Sequence, residues 1–356
     1  MTVEPERRSI ASCCAATPEK IDLSWLRNNP GQLFNIPNLQ RERQQMLDNQ
    51  LVASCEDTCW KAERARLPSR RTKMLSDSRT HLDVKATPTT LHINLGSDCN
   101  LTCSYCTKQY STAWLRDINT NGPYLDENRF QINTNDRIVL KLGQTAIKSS
   151  PGYQLIIDEI RNINTADQIV ITGGEPFLYN GLEQLVTSLP QPVNIFTGLG
   201  VDSKRLKRIL DALPDTVTFT VSAENIDKLY EFNRYGNTWN NFLKNLELIQ
   251  QKFNYRFCTV VSNLTIHSLA KFREQFGTKQ DLVNLCTDPD YLSASVLDPE
   301  SKLLYQSTMP DLLDTISVEY TLEQKQKLCK YLSRFVEIRN LDLQIFPAHF
   351  INWLNE

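Results

Sequence analysis

The sequence has no run of about eighteen apolar residues, the length that would cross a bilayer. Its first residues, MTVEPERRSIASCC, lack the apolar centre of a secretory signal. No membrane span is therefore expected, and a cytoplasmic location is. The chain also lacks an excess of charge of either sign, since 39 Lys and Arg stand against 41 Asp and Glu for a formal net charge of −2. No global field draws it to nucleic acid or to an acidic membrane, so any polyanion must be held locally. With 40% apolar content over 356 residues, the chain can bury an ample core and is not expected to be disordered.

Cysteine is not scarce. Seven of the ten lie within the first 106 residues, as Cys13, Cys14, Cys55, Cys59, Cys99, Cys103 and Cys106. Thiols stay reduced in the cytoplasm, so such clusters point to metal or catalysis rather than to disulfides. Cys258, in the apolar run RFCTVV, reads as a small buried hydrophobe, and neither it nor Cys286 nor Cys329 is given a role.

From residue 89 onward, short β-rich runs alternate with amphipathic stretches. Strands are expected at 90–95, 168–172, 193–197, 217–222, 255–262 and 282–286, with helix-like patterns between them. That order predicts an α/β fold with a parallel sheet, a partial (β/α)6 barrel, whose ligands bind at the carboxyl ends of the strands. Three cysteines, Cys99, Cys103 and Cys106, follow the first strand at that edge. Three thiolates suit soft iron, and a four-iron cluster so held keeps one iron open. A structural zinc would need a fourth ligand, and the closest histidine, His92, falls inside the strand.

The spacing Cys-x3-Cys-x2-Cys, with Tyr105 before the last cysteine, resembles the signature of the radical S-adenosylmethionine (SAM) enzymes. The segment TGGEP, Thr172 to Pro176, resembles that family's Gly-Gly-Glu-Pro, and FTGLG (196–200) and TVSAEN (220–225) resemble its later strand ends. The resemblance spans roughly 89–290 and implies a 4Fe-4S cluster on Cys99, Cys103 and Cys106. The open iron of that cluster would chelate SAM, which reductive cleavage converts to a 5′-deoxyadenosyl radical. It implies SAM contacts from Tyr105, Gly173, Gly174, Glu175, Pro176, Thr197, Ser222 and Glu224, with Glu175 accepting from the SAM ammonium. Arg234, in LYEFNRYGNTW, is expected to reach the SAM carboxylate. A reductase or flavodoxin-type electron donor is implied as partner, and no catalytic acid or base is assigned.

The first 85 residues resemble the small twitch module that precedes the barrel in a group of bacteriophage radical SAM proteins. Cys13, Cys14, Cys55, Cys59, Glu63, Ser69 and Arg70 match its pattern, although the later pair here is Cys-x3-Cys and the usual opening Phe-Cys is absent. The resemblance implies an auxiliary iron-sulfur cluster on the four cysteines, while the bare spacing also suits zinc or structural thiols. The expected organisation is an auxiliary-cluster module at 1–85, a barrel at 86–295 and a helical extension at 296–356. Residues 61–73 carry six basic side chains and one Glu, either a solvated face or a phosphate-contacting strip. Tyr110, Trp114 and Tyr124 could cover a substrate or close a core. The architecture resembles that of the phage isomerases of thymidine hypermodification, which shift a glycine on the thymine methyl from a nitrogen to a carbon link. The substrate expected is thus modified DNA, with a ribosomally made peptide as the alternative.

Overall fold

The computed structural model describes residues 1–14, 16–48, 50–64, 69–75, 88–163, 165–278 and 280–356. Two compact units emerge: Met1–Gly96 with Leu142–Gly173 and Gly181–Ile195, and Ser97–Lys141 with Gly174–Asn180 and Phe196–Glu356. Neither is a contiguous segment, and the expected boundary at 85/86 lies outside the described residues.

In the first unit, β1 (Thr2–Glu4), β2 (Ser9–Ala11) and β3 (Glu19–Lys20) form an antiparallel meander. β1 runs parallel to β4 (Thr90–Asn94), with Val3 beside Ile93, and so extends the parallel set made by β4, β5 (Gln168–Thr172) and β6 (Val193–Thr197). These three opening strands were not foreseen, because runs of two or three residues are too short to show a period of two. The helix Pro151–Arg161 is started by Ser150, whose hydroxyl accepts from Tyr153 N, and by Pro at its first turn. Its buried face carries Tyr153, Ile156, Ile157 and Ile160, and the Tyr153 hydroxyl donates to Leu95 O at 3.3 Å, just before the cysteine segment.

In the second unit, β7 (Thr218–Ser222), β8 (Asn254–Val261) and β9 (Leu282–Leu285) are parallel, with Ser222 beside Cys258 and Cys258 beside Leu282. All six expected strands therefore form, within a residue of the expected ends, in an α/β fold with helices between them. Asp202 and Thr238 cap the helices Ser203–Ala212 and Trp239–Gln250, and Thr321 with Gln324 forms a capping box on Leu322–Arg339. Trp114 and Tyr124 pack edge to face at 5.0 Å in a core that includes Phe130, Phe232, Phe335 and Phe350. Both rings close a core, whereas Tyr110 is 42% exposed.

Candidate active site

The three cysteines sit on a segment, 97–107, that is fastened at nearly every residue. The start of helix Thr112–Asn121 holds one side: Thr112 N donates to Ser97 O, Ala113 N to Cys99 O, the Ser111 hydroxyl to Leu101 O at 2.6 Å, and Trp114 Nε1 to Cys103 O at 3.0 Å. The turn after helix Asp227–Asn233 holds the other. Thr102 N donates to Tyr235 O, Ser104 N to Asn233 O, and the Ser104 hydroxyl to Asn233 Oδ1 at 2.6 Å. A loop so constrained presents its side chains with little freedom left to lose on binding.

Cys103 is buried and Cys99 and Cys106 are half-buried. Burial pushes the Cys103 thiol up to about 12 and raises those of Cys99 and Cys106 as well. The cation beside them is Arg234, whose Nη1 stands 3.9 Å from Cys103 Sγ. That guanidinium is committed elsewhere: Nε and Nη2 donate to the two oxygens of Glu224 at 3.1 and 2.8 Å, and the Tyr105 hydroxyl donates to the same carboxylate at 3.0 Å. Three clustered thiols, which Arg234 and the Arg129 that acts on Cys106 cannot together neutralise, fit a soft, multiply charged metal group, whose own charge makes thiolate burial tolerable. Among the described residues, no three His, Cys, Asp or Glu side chains close around a single metal ion.

Glu175 is buried at the head of the turn Pro176–Leu178. Its Oε1 accepts from the Thr197 hydroxyl at 2.8 Å and from Phe177 N at 3.2 Å, and Oε2 accepts from Gly198 N at 2.9 Å. Burial raises its pKa, against the opposing pull of those three donors. A carboxylate offers about four acceptor positions, so one on Oε2 is still open. A Cβ placed on Gly198 would lie 3.6 Å from Arg234 Nη1 and 3.7 Å from Glu175 Oε2. One donor of a cation and one acceptor of an anion thus border the same glycine, a pairing suited to the ammonium and carboxylate of an amino acid such as the methionine end of SAM.

The glycines of the segment have local reasons. At Gly173, φ is +141°, and a Cβ would meet Gly96 O at 2.8 Å. A Cβ on Gly174 would fall 2.2 Å from Asp98 O, the carbonyl that accepts from Glu175 N. Both close approaches are to the protein's own backbone, beside whatever they allow a ligand. Ser222 is half-buried at the end of β7, and Thr197 and Glu224 are buried.

Sequence reading missed the residues that set the 197–201 loop. Asn237 and Asn245 donate to Leu199 O, Asn241 and Asn245 to Val201 O, and Asn100 to Gly200 O. These bonds hold Leu199 at φ 52°, a left-handed conformation costly for leucine. A signal was present: Asn237, Asn241 and Asn245 recur at intervals of four, from the turn before helix Trp239–Gln250 into its first turns.

Of the N-terminal cysteines, Cys55 and Cys59 are buried with Ala11, Ala16 and Val52, and Cys13 packs against that group. Burial pushes the Cys55 thiol up to about 11, with the neighbouring Cys13 and Cys59 adding to the rise. Cys14 is exposed. Glu63 accepts from the Ser69 hydroxyl and pairs with Arg71, which lies 4.2 Å over the Trp60 ring, and Arg64 pairs with Glu56. Arg66, also in the basic strip, lies outside the described residues.

Replacing Glu175 by glutamine should weaken SAM binding roughly tenfold to a hundredfold, since a hydrogen bond to a charged group contributes about 1.5–3 kcal/mol. Iron content should barely change. An unchanged SAM dissociation constant would mean that Glu175 only closes its turn.

No curated protein matches the chain. Solved structures similar in part include native anSMEcpe with bound AdoMet, at 17% identity and TM-score 0.39, covering 69% of this chain and 66% of that one. SuiB of Streptococcus suis bound to S-adenosylmethionine is similar at 17% identity and TM-score 0.35, over 72% of this chain and 46% of that one. TYW1 with a lysine-pyruvate adduct is similar at 15% identity and TM-score 0.29, over 49% and 56%. The chain thus spans just under two thirds, or less, of the length of each. A family profile described as the radical SAM superfamily matches residues 93–276, which is just over half of the chain and takes in the three cysteines, Glu175 and Arg234. The protein belongs to the radical SAM superfamily.

Proposed function

We propose that this protein cleaves SAM reductively and uses the radical to isomerise a glycine carried on thymine in DNA, from a nitrogen to a carbon link. The family's cofactors are a 4Fe-4S cluster and SAM, which together supply a 5′-deoxyadenosyl radical able to take hydrogen from an unactivated carbon. Cys99, Cys103 and Cys106 would hold the cluster. The observation that carries the reading is the approach of Glu175 Oε2 and Arg234 Nη1 to Gly198, with that same Arg234 Nη1 3.9 Å from Cys103 Sγ, within one compact unit. Glu175 would hold the ammonium of SAM, and Arg234, fixed by Glu224, its carboxylate. The buried surround would exclude solvent and stray hydrogen donors from the site. A flavodoxin-type protein or a reductase delivers the electron.

Glycine on a base suits this chemistry, because a radical at its α-carbon is stabilised by both the nitrogen and the carboxylate. The phage-type pattern of the N-terminal cysteines supports the choice of substrate, with Cys13, Cys55 and Cys59 as the nucleus of an auxiliary cluster site. Among the described residues, no helix is long and apolar enough to cross a membrane.

DNA would be gripped by the strip at 61–73, where Arg64 and Arg71 must exchange Glu56 and Glu63 for phosphates. Duplex affinity should fall steeply with salt, with a slope of about −0.9 per phosphate neutralised. Replacing Arg64, Arg66, Arg70 and Arg71 by glutamine should flatten that slope. Identical slopes for wild type and variant, or no duplex binding at low salt, would remove the DNA reading and favour a peptide substrate.

A further inference from the structure

We infer that Arg256 holds a carboxylate of the substrate. On β8, Arg256, Cys258 and Val260 point to the same face as Thr220 and Ser222 of β7 and Asn284 of β9, as the register Thr220–Arg256, Ser222–Cys258 and Val260–Asn284 requires. The opposite face is apolar where it meets helices, with Phe257 edge to face on Phe272 at 5.1 Å and Phe219 on Phe253 at the same distance. The polar face runs along β7 through Thr220 to Ser222, two positions before Glu224, whose carboxylate holds Arg234. Arg256 is therefore a cation on the same face of the sheet as Ser222, set back from the strand end.

Its bonding is incomplete. Nε donates to the Thr220 hydroxyl at 3.2 Å, and among the described residues no Asp or Glu forms an ion pair with it. Glu224 is taken up by Arg234 and Tyr105, and Asp281 accepts from Phe257 N and Thr278. Cys258 is likewise engaged, accepting from Asn284 Nδ2 at 3.0 Å. A half-buried guanidinium has lost part of its hydration, and without an anion that loss is not offset. The two terminal nitrogens left over form the planar fork that matches a carboxylate bidentately. Thr220, fully buried, fixes the plane of the fork through Nε.

This assignment rests on the proposed function for its substrate, the α-carboxylate of the glycyl group, but it can be tested apart from it. The probes are the glycine-substituted thymidine nucleoside, its carboxamide analogue, and the simple pair N-acetylglycine and N-acetylglycinamide, titrated into the SAM-loaded holoenzyme by calorimetry and by chemical-shift change. Wild type should prefer each carboxylate to its amide by roughly tenfold to a hundredfold. Arg256→Gln should erase the preference without weakening the amides, and Arg256→Lys, which keeps charge but not the fork, should retain part of it. Equal discrimination by wild type and Arg256→Gln would overturn the assignment. So would a preference for inorganic phosphate over N-acetylglycine that Arg256→Gln abolishes, since the fork would then serve a backbone phosphate. Discrimination with N-acetylglycine alone, with no binding of the nucleoside, would uphold Arg256 and reject the thymidine reading. If Arg256→Gln proves unfolded by circular dichroism, the lysine variant decides: full wild-type selectivity there contradicts bidentate capture.

Discussion

Replacing Arg234 by alanine should cost about 3–5 kcal/mol of stability, because Glu224 is left as a buried charge without its partner. The side chains of the pair are 6% and 0% exposed, and two of the three hydrogen bonds to the carboxylate come from the guanidinium. Tyr105 alone cannot offset the loss. The double variant Arg234→Met with Glu224→Gln should recover much of it, since no charge then needs a partner. The check is a double-mutant cycle on denaturant midpoints. Additive losses would mean that the two side chains do not act as a pair. SAM affinity should fall in both Arg234 variants, because the cation at the Gly198 corner is gone in each.

The triple variant Cys99→Ala, Cys103→Ala and Cys106→Ala should lose reductive SAM cleavage altogether while keeping about half its iron on the N-terminal cysteines. The segment bearing the three thiols is tied by backbone and hydroxyl bonds that alanine leaves intact, so the fold should persist. If the variant still cleaves SAM, the thiols have been wrongly assigned. If it folds yet binds no iron, Cys13, Cys55 and Cys59 hold no cluster.

What could be read from sequence followed range along the chain. The parallel strands were legible because each is a run of β-branched and aromatic residues bounded by turn signals, and the cysteine triplet because three soft ligands within eight positions have few bland explanations. The short strands at 2–4 and 9–11 were not legible, since the first pairs with His92 and Ile93 some ninety residues away and the second pairs with the first. Nor were the partners of charged groups. Arg234 was expected to reach the SAM carboxylate, and tertiary packing gives two of its nitrogens to Glu224. The basic strip read as a solvated face or a phosphate-contacting strip, and Arg64 and Arg71 fold back on Glu56 and Glu63. The asparagines at 237, 241 and 245 were open to view, and only the shape of the 197–201 loop explains them.

The central claim is that this chain holds iron on Cys99, Cys103 and Cys106 and cleaves SAM there. Its most direct test is anaerobic purification and reconstitution, followed by dithionite reduction with SAM and chromatographic measurement of 5′-deoxyadenosine beside an iron count. The account predicts a brown protein with at least four irons per chain for the cluster it names and 5′-deoxyadenosine formed only after reduction. A colourless protein holding zinc, or a fully iron-loaded one that yields no 5′-deoxyadenosine on reduction, would contradict it.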